Sequence, residues 1–253
     1  PRPAPLEAPP DELTAHPPAS QRERRLAVVL VTLTTLVGGV GTALSPYLLV
    51  HHPAWLVLMG AMLAGAVAAA WLVLNGAAAL YVFLGAFFYA FVYTVWLKRR
   101  SAMNIVIGGL AGSFAVLAGA AAVDPTLGPL PLLLALVLFL WTPPHFWALA
   151  IANRADYAQA GVPMLPVVVG NERAARIVFG STVALLVASL LPAFWGAGPV
   201  YFIGALGGGL HFVHKAWVLS REVTRAHAMS AFFASLVQLS TLLVAACVDG
   251  LVR

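Results

Sequence analysis

Two polar clusters interrupt an otherwise apolar chain, and both contain residue types that hold anions. The first is FVYTVWLKRRSAMNIVIGG, where Lys98, Arg99 and Arg100 form a dense positive patch ahead of Asn104. The second runs from Trp141 to Pro166, WTPPHFWALAIANRADYAQAGVPMLP. Asn153, Arg154, Asp156 and Tyr157 put a donor, a cation and a carboxylate in one short stretch of it. Ammonium and guanidinium groups stabilise negative charge on phosphate oxygens. An anionic group such as a diphosphate would therefore fit between the clusters, provided the fold brings them to one water boundary. From Leu26 to Leu97 there is no Asp, Glu, Lys or Arg, so ionic chemistry belongs to the later loops.

Each candidate also has a plainer explanation. Asp156 serves either an anion or metal site, or as a helix-cap acid paired with Arg154. Lys98, Arg99 and Arg100 bind an anion, signal topology, or contact lipid headgroups. Pro143 and Pro144 are expected to interrupt a helix and free backbone carbonyls, and His145 follows directly as a group able to satisfy them. An ionisable side chain within a membrane segment also raises the case for function. Tyr89 and Tyr93 stand four apart and share a helix face, lining a cavity or simply packing. His211 and His214 share a face three apart, beside Lys215. His51 and His52 read as loop residues.

The elements that must position these groups follow from solvent. Charged residues are 9% of the 253-residue chain and hydrophobic residues 61%. Mean hydropathy is +0.92. So little charge cannot cover a water-facing surface, and the bulk of the chain belongs in lipid. The apolar runs are continuous rather than alternating, which selects helices over a barrel. They fall at about residues 26–50, 54–74, 76–97, 104–123, 129–152, 177–195, 198–214 and 228–251. The fold class is an all-α, polytopic transmembrane bundle of eight helices. Residues 1–25 read as a Pro-rich disordered tail, and 26–253 as one membrane domain.

Net charge is +5 with a pI near 9.8. The cations sit in short loops, where they set topology, and no base-reading motif points to nucleic acid. Lys98–Arg100, the loop 153–176 and the loop 215–225 are expected on the cytoplasmic side. Counting back from Lys98 then puts the Arg22, Arg24 and Arg25 cluster outside, which the same rule disfavours. Either one early segment does not cross, or one helix is missing. The single cysteine, Cys247, cannot build a disulfide framework and reads as a small lipid- or core-facing residue.

YTVWLKRRSAMNIVIGG and LFLWTPPHFWALAI…DYAQAGVPMLPVV resemble the signature stretches of heme O synthase, within the superfamily of intramembrane aromatic prenyltransferases. AFFASLVQLSTLLVAACVD resembles that family's closing helix, and the likeness covers about residues 53–253. It implies a nine-helix bundle in a bacterial inner membrane, with farnesyl diphosphate and heme b as substrates and Mg²⁺ as cofactor. It implies that Asp156 binds metal and acts catalytically with Arg154. It also implies that Lys98, Arg99, Arg100, Asn104, Asn153, Tyr157, Tyr93 and His145 bind substrate. Under that likeness His145 would meet heme or its propionates, and His211 and His214 become conceivable heme ligands.

The sequence departs from the family in telling places. An aspartate motif of the form NxxxDxxxD should precede the 54–74 helix, and the uncharged stretch excludes it. In the second motif Ala155 stands where an acid often precedes Asp156. Phe114, Ala115 and Val116 occupy the place of a frequent Pro pair. A deletion or junction near His51 accounts for both the lost motif and the helix count, with 26–52 then non-homologous. RRLAVVLVTLTTLVGGVGTAL is weakly similar to a helix of heme A synthase, which makes that enzyme a candidate partner and a fused origin one reading.

Overall fold

The computed structural model describes residues 53–252. The tail 1–25, the segment 26–50 with its orientation, and His51 and His52 lie outside the described residues. Packing divides the chain into units 1–64 and 65–253. Of the first unit only the start of helix α1, Pro53–Ala69, is described.

Among the described residues every element is helical. Ala70–Leu74 carries α1 on as a π-helical turn. Helix α2, Gly76–Phe87, likewise runs on through a π-helical stretch, Phe88–Leu97. Then come α3 (Asn104–Gly108) and α4 (Leu110–Val123), followed by α5 (Pro129–Ala152). Two short helices follow, α6 (Arg154–Gln159) and α7 (Leu165–Val169). The chain closes with α8 (Asn171–Leu190, extended by a 3₁₀ turn to Phe194), α9 (Pro199–Arg221) and α10 (Arg225–Val252).

Among the described residues five spans are long and apolar enough to cross a membrane: 76–97, 104–123, 129–152, 171–194 and 225–252. The chain is a polytopic helical membrane protein. Its outer faces carry Trp71, Leu72, Phe91 and Val95 exposed, as lipid contact requires. Cys247 is exposed as well.

The long helices pack antiparallel. Asn75 starts α2 by accepting from the Ala78 N–H at 2.9 Å, and its amide donates to the carbonyl of Ala121 near the end of α4. Ser113 of α4 donates to Ala135 O of α5, and the Tyr201 hydroxyl of α9 donates to Ser189 O of α8. Glycines smooth the packing face of the 104–123 helix. Gly108 lies under the Tyr93 ring, Gly109 under Thr142 and Gly112 under Leu138. Gly204 and Gly208 let α9 approach α10 closely, beneath Ala245 and the Gln238 backbone. Asp249, only 4% exposed, reaches from α10 to the start of α9 and accepts from the backbone N–H of Gly198 at 2.6 Å and of Tyr201 at 3.4 Å.

With this alternation, Lys98, Arg99, Arg100, Arg154, Arg173, Arg176, Arg221 and Arg225 all gather at one end of the bundle, and Lys215 lies in the turns of α9 nearest it. Asp124 and Asp249 sit at the other end.

Three expectations need correction. The prolines do not interrupt α5, which runs unbroken through Pro143 and Pro144. The Thr142 hydroxyl donates to Leu138 O in the turn before them, and both prolines are buried against neighbouring helices that hold the geometry. Helix α8 starts at Asn171 rather than near 177, and α9 runs to Arg221 rather than 214. In both cases the helix continues past the apolar run into a charged turn.

Candidate functional site

The site is built at the cation-rich end. The π-helical end of α2 closes with the Lys98 N–H donating to Tyr93 O at 2.8 Å. The turn that follows leaves Arg99 and Arg100 exposed and Lys98 half-buried. Asn104 sits fully buried beneath this turn and donates from Nδ2 to Lys98 O at 3.1 Å. Its Oδ1 is buried without a hydrogen-bond partner. Asn104 therefore holds the basic turn from below.

The second cluster lies at the same end, after α5. Both the backbone N–H and the Nδ2 of Asn153 donate to Leu149 O at 3.1 Å and terminate α5. Arg154 and Asp156 are exposed on α6. Two residues apart on a helix, they face different ways. The ion pair expected between them does not form; Glu222 and His227, by contrast, approach to 3.8 Å at the start of α10. Tyr157 is half-buried, and its phenol is held above the usual tyrosine range, first by desolvation and then by the Asp156 charge. Tyr93, from the end of α2, lies within electrostatic reach of Tyr157. The fold thus brings Tyr93, Asp156 and Tyr157 to one mouth. Tyr89 packs against Tyr93 with ring centroids 5.9 Å apart and stays largely exposed.

His145 lies elsewhere. It is buried in α5, with Trp141 stacked on one side at 4.1 Å and Phe232 on the other at 4.7 Å. Its Nδ1 lies 2.6 Å from Ser235 Oγ of α10. The Ser235 hydroxyl donates its single proton to Phe232 O, so His145 is the donor in this pair. The imidazole satisfies a hydroxyl across a helix interface, not carbonyls freed by the prolines. His211 and His214 are exposed on α9, with the His214 ring 6.5 Å from that of Trp217.

A feature not anticipated as a site is an open basin of about 450 Å³ beside α8. It is lined by Arg154, Gly170, Glu172, Arg173 and Arg176 among others. Arg173 and Arg176 belong to the loop 153–176, which the charge distribution assigns to topology alone. Their i, i+3 spacing becomes a shared helix face because α8 begins at Asn171.

The segment 49–237, which takes in α1 through the first half of α10 and both polar mouths, matches the UbiA prenyltransferase family. The chain belongs to that family. A protoheme IX farnesyltransferase 2 of Paramagnetospirillum magneticum is 58% identical over 199 residues, covering 79% of this chain and 69% of that protein. Protoheme IX farnesyltransferase 1 of the same organism is 55% identical over 179 residues, covering 69% of this chain and 62% of its own length. A protoheme IX farnesyltransferase of Roseiflexus is 45% identical over 203 residues, 79% of this chain and 38% of that one. No solved structure matches the chain.

Among the described residues this UbiA-family site offers a metal one carboxylate, Asp156, which leaves the rest of the shell to substrate phosphate and water. Mg²⁺ takes six oxygens in near-octahedral geometry. Among the described residues no three His, Cys, Asp or Glu side chains gather to hold an ion. Asp156 stands alone at its mouth, and Glu172 belongs to the arginine basin. An ion bound through Asp156 would need donors from outside the described residues.

Proposed function

We propose that this UbiA-family protein transfers the farnesyl group of farnesyl diphosphate to a vinyl group of heme b, giving heme O. The observation that carries the reading is the 58% identity to a protoheme IX farnesyltransferase across the span that holds both mouths. In the proposed reaction the allylic C–O bond breaks and its electron pair leaves with the diphosphate. The vinyl π-electrons attack the farnesyl cation, and water adds to the resulting cation with loss of a proton. The departing diphosphate needs positive charge around it. Lys98, Arg99, Arg100 and Arg154 would supply that charge, with Asp156 as the acid of the site. Tyr93 and Tyr157 would line the mouth, and Asn104 and Asn153 would hold its two turns in place. The apolar helices would take the farnesyl chain. His145 would act from within the α5–α10 interface rather than by touching heme.

The setting proposed is a bacterial inner membrane with the basic end cytoplasmic, as the distribution of Lys and Arg supports. Heme A synthase is the partner proposed to receive the product. The test is incubation of the purified chain with heme b, farnesyl diphosphate and Mg²⁺, with heme O read by mass spectrometry.

The lone carboxylate supports a second reading, in which the chain binds heme or prenyl lipid without turnover, or aids cytochrome oxidase assembly. A folded sample that binds farnesyl diphosphate or heme b and forms no heme O would select it.

A further inference from the structure

The basin beside α8 holds two cations, Arg173 and Arg176, that the proposed reaction does not use, next to Arg154, which it does. Arg173 and Arg176 stand three apart on the first turns of α8 and so share a face. Arg154 approaches from the start of α6 and lines the same basin. Glu172 is the one carboxylate there, and it lies within ion-pair distance of none of the three guanidinium groups. The guanidinium donors therefore remain available. Gly170, at φ +82°, carries no side chain to cap α8. The N–H groups of Asn171, Glu172 and Arg173 have no acceptor within the helix. Helix dipole and side chains thus present positive charge to the same space.

We propose that the basin lined by Arg154, Arg173 and Arg176 is a binding site for a phosphate or diphosphate group, separate from the Lys98–Arg100 turn. Planar guanidinium forks match phosphate oxygens two at a time, and three forks with one opposing carboxylate leave a net positive site. The basin opens at the cation-rich end of the bundle. Two sources of phosphate reach that end, the headgroup of an anionic lipid and a soluble diphosphate. The inference does not depend on the chain being a farnesyltransferase.

The experiment uses the full chain in lipid nanodiscs and two variants, R173Q/R176Q and E172Q. In one arm, inorganic pyrophosphate is titrated by calorimetry into nanodiscs of phosphatidylcholine. In the other, phosphatidylglycerol retained by the protein from mixed nanodiscs is counted by native mass spectrometry. R173Q/R176Q should weaken binding about ten-fold or more. E172Q, by removing the opposing charge, should strengthen it about two- to five-fold. A misfolded protein cannot imitate that gain. An effect confined to pyrophosphate assigns the site to soluble diphosphate, one confined to phosphatidylglycerol assigns it to lipid, and effects in both arms assign it to both. Absence of wild-type binding in both arms overturns the proposal. So does binding left unchanged in both arms by either variant.

Discussion

The Nδ1 of His145 meets the Oγ of Ser235 at 2.6 Å across the α5–α10 interface, inside a box of Trp141, Phe146 and Phe232. Trp141, one turn earlier, donates its indole N–H to Ser235 O at 2.9 Å. Two consecutive turns of α5 thus grip one residue of α10. S235A would strand a buried imidazole donor, which costs about 1–3 kcal/mol. Thermal unfolding in detergent should show that loss. H145F combined with S235A should recover part of it, because the stranded donor is gone and ring stacking remains. Purely additive losses would mean that the two side chains do not interact.

Asp249 performs a comparable task at the opposite end. Its carboxylate takes the Gly198 and Tyr201 N–H groups, donors that the start of α9 would otherwise leave bare. D249A should lose about 1–2 kcal/mol, the scale of a lost N-cap. Hydrogen exchange should quicken at residues 198–202 before it quickens elsewhere. Unchanged protection there would remove the capping role.

The spans were legible because each is a run of about 20 apolar residues bounded by charge or by Gly and Pro. The gathering of Lys98–Arg100 and Arg154–Tyr157 at one end followed from the distribution of Lys and Arg among the loops. The errors have a common cause. Arg173, Arg176 and Arg221 lie on helices that outlast the apolar run, so a reading based on hydropathy stops at the lipid edge while backbone hydrogen bonding continues. The failure at Pro143 and Pro144 was of another kind, since burial among neighbouring helices overrode a local breaker. Ser235 and Asp249 carried no pattern that sets them apart. Their partners lie 90 and 51 residues away, and only packing reveals them.

The close approach of α9 and α10 makes a graded prediction. A Cβ at Gly204 would collide with the Cβ of Ala245, which has no flexible end to move aside, so the helices must part. G204A should cost about 1–3 kcal/mol, as overpacking does. A Cβ at Gly209 would meet Leu186 Cδ1 at 2.5 Å, and that side chain can rotate away. One at Gly207 meets nothing within 4 Å. The unfolding midpoints should therefore fall most for G204A, less for G209A, and hardly at all for G207A. Equal losses at all three would contradict the packing.

Gly108 links packing to the mouth. A Cβ there would lie 2.7 Å from Cδ2 of Tyr93 and 3.1 Å from Cγ, so the root of the ring has to shift. Tyr93 is the side chain that α2 sends toward Tyr157, and small misplacements in a reacting site slow chemistry more than they unsettle a fold. G108A should lower the rate of heme O formation about ten-fold or more while moving the unfolding midpoint only slightly. D156N should abolish turnover with the fold intact if Asp156 acts in the site. The Tyr157 phenol, held above its usual range by burial and by Asp156, keeps its proton until well into alkaline conditions. The rate should therefore show no tyrosine limb between pH 6 and pH 9, an interval about one unit clear of an ordinary phenol. A D156N enzyme as active as the wild type would remove Asp156 from the site, and a limb in that interval abolished by Y157F would mean that Tyr157 titrates where its surroundings say it should not.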